Sequence, residues 1–256
     1  MPSSKTRVLI AGAGPTGLTL ALELARRGIS CRIIDSDEPA PMHESRALAV
    51  NMRTLHLLDP SGVADLIKAE ALNVREMRVF SRSKRVFTFA PRASAEGGAM
   101  LRSLPQGRTE RLLAAKLAGF GIYPEWRTAF TGLIKNDETG VVAAIMGRSG
   151  EEECHAEMLA GADGAHSQVR KSLGLGFSGE SYPQTFYMSD FTYVMDIESD
   201  FGEARFFNPG VIARIPVDKR TFRYISTLEN YRDLIAHPGK IADVPWETTF
   251  KVSFRH

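Results

Sequence analysis

The chain has 256 residues, 43% of them hydrophobic and 24% charged, with a formal net charge of +2. Those values exclude a disordered or fibrous chain, and 32 basic residues against 30 acidic ones argue against a nucleic-acid partner. Cys31 and Cys154 sit in no CxxC pair, so the chain reads as a reduced cytoplasmic protein, and no run of roughly 18–20 apolar residues marks a membrane span.

Residues 7–11 form a short apolar run ended by glycine, the pattern of a buried parallel strand. Lys5 and Arg7 ahead of it do not make a secretory signal, because Gly12, Gly14, Pro15 and Gly17 break the apolar core. Residues 15–27 predict a helix. Pro15 suits its first turn, Leu18, Leu22 and Leu24 mark an inner face, and Gly28 can stop it. Residues 30–34 predict the next strand, ending at Asp35. Strand, helix and strand in this order require a parallel pair and a right-handed crossover.

A polar loop over 36–45 precedes helices over 47–58 and 63–69. Residues 74–104 alternate in places and read as a β-rich insertion. Leu112, Leu113, Leu117 and Phe120 mark one face of a helix over 109–120. Strands over 129–136, 141–147 and 152–160 suit an antiparallel meander beside the parallel sheet. Glu151, Glu152 and Glu153 read as a solvated turn. A helix is expected near Ser167, then strands over 186–196, 203–207, 211–216, 222–228 and 250–254, with short helices over 231–236 and 241–244. The expected fold class is α/β. A Rossmann-like domain built on this strand–helix–strand unit, with a parallel sheet and an antiparallel meander, takes 1–73 and 104–182. A mainly antiparallel β-sheet domain takes 74–103 and 183–256.

Gly12-Ala13-Gly14-Pro15-Thr16-Gly17 is a GxGxxG turn between strand and helix. The first glycine permits the tight turn, the second admits a pyrophosphate to the backbone, and the third lets helix and strand pack. A pyrophosphate then meets the unpaired N–H groups and positive dipole of the helix N-terminus. Asp35, with Ser36 beside it, ends the second strand, where an acid accepts ribose hydroxyls. These residues indicate a dinucleotide without saying which.

Gly161-Ala162-Asp163-Gly164-Ala165-His166-Ser167, followed by Val169-Arg170, resembles the DG motif of the aromatic-ring flavoprotein monooxygenases, the para-hydroxybenzoate hydroxylase family. Asp163 can accept hydrogen bonds, Gly164 permits an unusual φ, and Ser167 can cap the following helix. Glu44-Ser45-Arg46-Ala47 resembles the family's arginine segment, which implies a place for Arg46 near the FAD phosphates. Leu104-Pro105-Gln106 with Thr109-Glu110-Arg111 resembles a Gln-x-x-x-Glu element, which implies a place for Gln106 near the isoalloxazine. The resemblance implies FAD as cofactor, NAD(P)H as co-substrate, and hydroxylation of a small aromatic substrate with O2. The alternatives are an FAD-dependent reductase or halogenase of the same fold, or a non-enzymatic remnant. In this family the flavin carries the chemistry, so no catalytic residue is named. Tyr193, Arg214 and Tyr224 on sheet-domain strands are candidates to face a substrate. His166 reads as a neighbour of a helix cap, and the histidines show no metal spacing.

The family's third signature, a Gly-Asp in a GDAAH-like segment, has no counterpart, since no Gly-Asp dipeptide occurs. Residues 246–256 resemble the strand just ahead of it. The expectation is a chain truncated before the flavin end of its site is complete, with weak FAD binding and slight or absent hydroxylation when alone.

Overall fold

The computed structural model describes residues 3–39, 47–90, 101–235 and 239–255. They fall into two compact units: Met1–Met42, Pro60–Val63 and Gln106–Gly176, and His43–Asp59, Ala64–Pro105 and Phe177–His256.

In the first unit the strand Ser3–Ala11 lies between two parallel partners, Cys31–Ile34 and Gly150–Gly161. Gly140–Gly147 and Ala129–Asp137 continue the sheet in antiparallel pairing. This is the expected parallel sheet with its meander. The registers run to Ala11 opposite Ile34 and Ala11 opposite Gly161, so the three parallel strands end level. The helix Pro15–Ala25 buries Leu18, Ala21 and Leu22 on the i, i+3, i+4 spacing of one face. The helix Gln106–Ala118 packs on it with Leu113 and Leu117 buried. Another core cluster contains Leu9, Ala11, Ile34, Phe130, Ile145, Cys154 and Val169.

One ion cluster ties this sheet across its strands. Arg32 donates to both carboxylate oxygens of Glu125 at 2.7 Å each, to Glu152 at 2.6 Å and to the Ser4 hydroxyl at 2.6 Å. Glu152 therefore belongs to the expected strand and to an ion cluster, not to a solvated turn. Its partner lies 120 residues away, beyond the reach of any local signal. Planar guanidinium and carboxylate make a bidentate fork, stronger than a neutral pair.

The second unit is built on a seven-stranded sheet. Its order is Ile241–Arg255, Gly179–Tyr193, Thr221–Ser226, Val211–Pro216, Phe201–Phe206, Glu76–Ser81, Lys84–Phe89. All neighbours are antiparallel except Phe201–Phe206 with Glu76–Ser81. A core of Phe191, Tyr193, Ile212, Phe222, Tyr224, Tyr231 and Ile235 packs together. Asp190 and Arg223 form a buried bidentate pair at 2.8 Å on each arm.

Two expected helices change form. Residues 49–50 are a strand paired with Leu101–Ser103, and the helix Met52–Leu58 starts only after Asn51, whose side chain accepts from the Thr54 N–H at 2.9 Å. That pairing, together with the bond from the Leu104 N–H to the Leu48 carbonyl, draws 47–58 into the second unit, although the sequence reading set it with the first. Residues 241–244 begin the long strand Ile241–Arg255, because pairing with Gly179–Tyr193 outweighs a weak helical pattern.

The hydrogen bond from Arg32 holds the Glu152 carboxyl below its ordinary value of 4.5, against the opposing effect of burial. That contribution to stability is present above the ordinary value and is lost as falling pH protonates Glu152. The Arg32→Leu variant should lower the unfolding free energy by about 1–3 kcal/mol at neutral pH. Urea unfolding followed by circular dichroism should show that deficit shrinking near pH 3; a pH-independent deficit would contradict it.

Candidate functional site

Turns leaving the level ends of the three parallel strands line one cleft of about 740 Å³. Gly12 and Gly14 come from the first turn, Asp35, Ser36 and Asp37 from the second, and Asp163, Gly164, Ala165 and His166 from the third. Thr128, Ala129, Phe130 and Thr131 complete the wall. The volume lies in the range of small-molecule sites, ~300–1,000 Å³.

The glycines do different work. Gly12 has φ +104°, and a Cβ there would sit 2.3 Å from the Ala162 carbonyl oxygen. A Cβ on Gly17 would sit 1.8 Å from the Gly12 carbonyl oxygen. Both are required by the chain's own backbone. Gly14 is not: its φ is −72° and a Cβ would meet nothing within 4 Å. Its missing side chain leaves open space in the cleft. Gly14 is also the N-cap of the helix Pro15–Ala25, with no side-chain cap. Pro15 and Thr16 therefore open a helix with no side-chain cap and no acidic residue in its first turn.

Asp35 is held from several sides. Its Oδ2 accepts from the Ala13 N–H at 2.6 Å and its Oδ1 from the Asp37 N–H at 2.9 Å. Its own N–H donates to the Glu125 carbonyl, and its carbonyl accepts from the Thr128 N–H at 2.7 Å. Two of the carboxylate's roughly four acceptor positions are thus used, which leaves others for hydroxyl donors. Glu125, fixed by Arg32, carries this backbone segment into place.

Asp163 works locally. Its Oδ1 accepts from the Ser167 hydroxyl at 2.5 Å and its Oδ2 from the Gln168 N–H at 2.6 Å, while Ser167 Oγ accepts from the Arg170 N–H at 3.0 Å. Together they cap the helix Gln168–Ser172. Gly164 turns with φ +73°.

Gln106 opens the helix Gln106–Ala118 and donates to Glu110 at 2.8 Å; it does not line the cleft. Burial pushes the Glu110 carboxyl up, the Gln106 hydrogen bond opposes it, and the negative charge of Asp35 adds to the rise. Arg46 lies outside the described residues. Among the described residues no group of His, Cys, Asp and Glu is placed to hold a metal ion, and no helix is long and apolar enough to cross a membrane.

Tyr193, Arg214 and Tyr224 are brought together, but in the core of the second unit. The two tyrosine hydroxyls lie 2.9 Å apart, and burial pushes both phenols up. The Arg214 guanidinium stacks over the Phe222 ring at 4.8 Å. Strand alternation permitted either face; packing chose the buried one. The cleft residues Thr128–Thr131 were missed from sequence, since they reach the site only by lying beside the strand that ends at Asp35.

Residues 5–234 match the family described as FAD binding domain. The 6-methylpretetramide 4-monooxygenase of Streptomyces rimosus is 35% identical, over 97% of this chain and 48% of that protein. A flavin-dependent monooxygenase of Mycobacteroides abscessus is 34% identical, over 78% of this chain and 42% of that protein. The crystal structure of p-nitrophenol 4-monooxygenase from Pseudomonas putida superposes with a TM-score of 0.85 at 18% identity, over all of this chain and 69% of that one, which shows the fold. The chain spans about half the length of the curated relatives it matches.

The contrast among the glycines is testable without ligand. Gly17→Ala should destabilise the chain by more than about 3 kcal/mol, because backbone atoms must move, whereas Gly14→Ala should cost under about 1 kcal/mol. Thermal unfolding of the two variants checks this, and equal losses would contradict it. For Glu110, the stability tied to its protonated form is present below its ordinary 4.5 and is lost as pH rises through the elevated value. Glu110→Gln should therefore match or exceed the parent in stability at pH 7, with the advantage vanishing towards pH 4 in denaturant titrations.

Proposed function

The chain belongs to the FAD binding domain family, and from that membership we propose that it binds FAD and serves an FAD-dependent monooxygenase that hydroxylates a small aromatic compound with NAD(P)H and O2. The observation that carries the binding reading is Gly14. Its side chain is missing where the fold does not require it, at an uncapped helix N-terminus, facing a cleft of about 740 Å³. Backbone left bare beside open space is what a pyrophosphate pressed against it needs.

In this reading the first-turn amides of the helix Pro15–Ala25 hold the pyrophosphate beside Gly12, Gly14 and Gly17. Asp35 accepts the ribose hydroxyls with Ser36 next to it. Asp163 stiffens the third turn and presents Gly164, which has no side chain to obstruct the cofactor. Glu110 orients the Gln106 amide toward the flavin end, and Arg46 contributes charge to the phosphates. The seven-stranded sheet forms the substrate-binding part. Bound FAD would supply electron transfer from NAD(P)H and the activation of O2, and the protein supplies placement and exclusion of water.

Aromatic chemistry is supported by the relatives. One is named for 6-methylpretetramide and another, from Sphingobium chlorophenolicum and 30% identical, for pentachlorophenol.

Titration of the purified chain with FAD, followed by flavin fluorescence and with ADP as competitor, tests the binding. Both should bind the parent. Gly14→Ala should weaken each at least about tenfold, the effect of ~1.4 kcal/mol of overpacking, while its circular dichroism stays that of the parent. A parent chain that takes up neither FAD nor ADP would sink the reading.

A further inference from the structure

The strand Ile241–Arg255 is the outer strand of the seven-stranded sheet. It pairs with Gly179–Tyr193 along one edge, and among the described residues its other edge pairs with no strand. A long open edge is a template for a further strand. Between Trp246 and Lys251 its register with Gly179–Tyr193 is continuous, so the side chains there alternate cleanly. Glu247, Thr249 and Lys251 share one face and are exposed; Trp246, Thr248, Phe250 and Val252 share the other. The stretch is self-complementary in reverse: an acid two residues before Thr249 and a base two residues after it.

We propose that two copies of this chain pair antiparallel through this edge, about a two-fold axis at Thr249. That register sets Glu247 opposite Lys251 twice, Trp246 opposite Val252 twice and Thr248 opposite Phe250 twice. A slip of two residues leaves both charges without a cross-strand partner. A slip of four places Glu247 on Glu247 or Lys251 on Lys251. A slip of one turns the apolar side chains to the wrong face. Charge order and alternation thus select one register. Pro245, which lacks an N–H, falls opposite Ser253 and away from the axis, so the central backbone donors are kept. Glu247 is also within ion-pair reach of Arg232 of its own chain, so its carboxylate is shared.

The proposal is tested on the full chain by sedimentation equilibrium from about 1 to 100 µM, at low and high salt. A dimer that weakens with salt is expected. Lys251→Glu and Glu247→Lys should each weaken self-association about tenfold, as two attractive pairs become repulsive. Mixing these two variants should restore association, because each copy then faces the opposite charge; misfolded variants would not recover. Thr249→Cys should cross-link into a dimer under mild oxidation far faster than Ser253→Cys, against the parent's own Cys31 and Cys154 as background. A chain that stays monomeric, no recovery on mixing, or equal cross-linking at 249 and 253 would overturn the proposal. A monomer with slow amide exchange along 241–255 would show another segment of the same chain on this edge, and would overturn it as well.

Discussion

The first unit depends on one constraint, the double parallel pairing of Ser3–Ala11. Parallel strands point the same way, so their C-terminal ends and the turns that follow come out on one edge of the sheet. Ala11, Ile34 and Gly161 are level in the hydrogen-bond register, and the turns at 12–14, 35–37 and 162–166 open into the same cleft. An antiparallel neighbour in either position would send its turn to the far end. The site follows from strand direction before any side chain is considered.

Backbone proximity then sets what each position tolerates. Gly17 and Gly12 touch because the helix Pro15–Ala25 must return over the strand it leaves, and Gly12 meets Ala162 because the third strand lies alongside. These contacts aim the helix N-terminus at the cleft. Electrostatics complete the arrangement. The positive dipole end faces the opening, while Asp35 stays at its rim with two backbone N–H donors on its carboxylate. Arg32 acts from below. By gripping Glu125 and Glu152 it fixes the backbone that brackets Asp35, so an ion cluster outside the cleft shapes its wall.

The second unit meets a different problem, a sheet that buries charge. Arg223 is fully buried and offset by a bidentate Asp190, while buried Arg214 is paired with Glu203 at 3.5 Å and stacked on aromatic rings. Burying such groups is tolerable only when they are paired and hydrogen-bonded. The sequence shows aromatic and basic residues alternating on strands there, but not that Tyr193, Tyr224 and Arg214 would face the interior. Which face of a strand is buried is decided by what covers it. The same limit explains the strand at 241–244, whose few residues fit a helical turn in isolation and a sheet once Gly179–Tyr193 is beside them.

Much was legible from sequence because it acts over short distances. The strand–helix–strand unit, the GxGxxG turn, the cap by Asp163 and Ser167 and the stop at Gly28 all depend on bonds or steric limits within a few residues. The antiparallel meander was readable from its alternation and turns. Tertiary structure alone decided the rest. It made Glu152 the partner of Arg32 across 120 residues, brought Thr128–Thr131 to the cleft, and left Gly14 open while closing in Gly12 and Gly17. The physical reason is range. Propensity, capping and turn strain are properties of neighbours along the chain, whereas burial, ion pairing and free space at a glycine depend on atoms that only the folded sheet brings near.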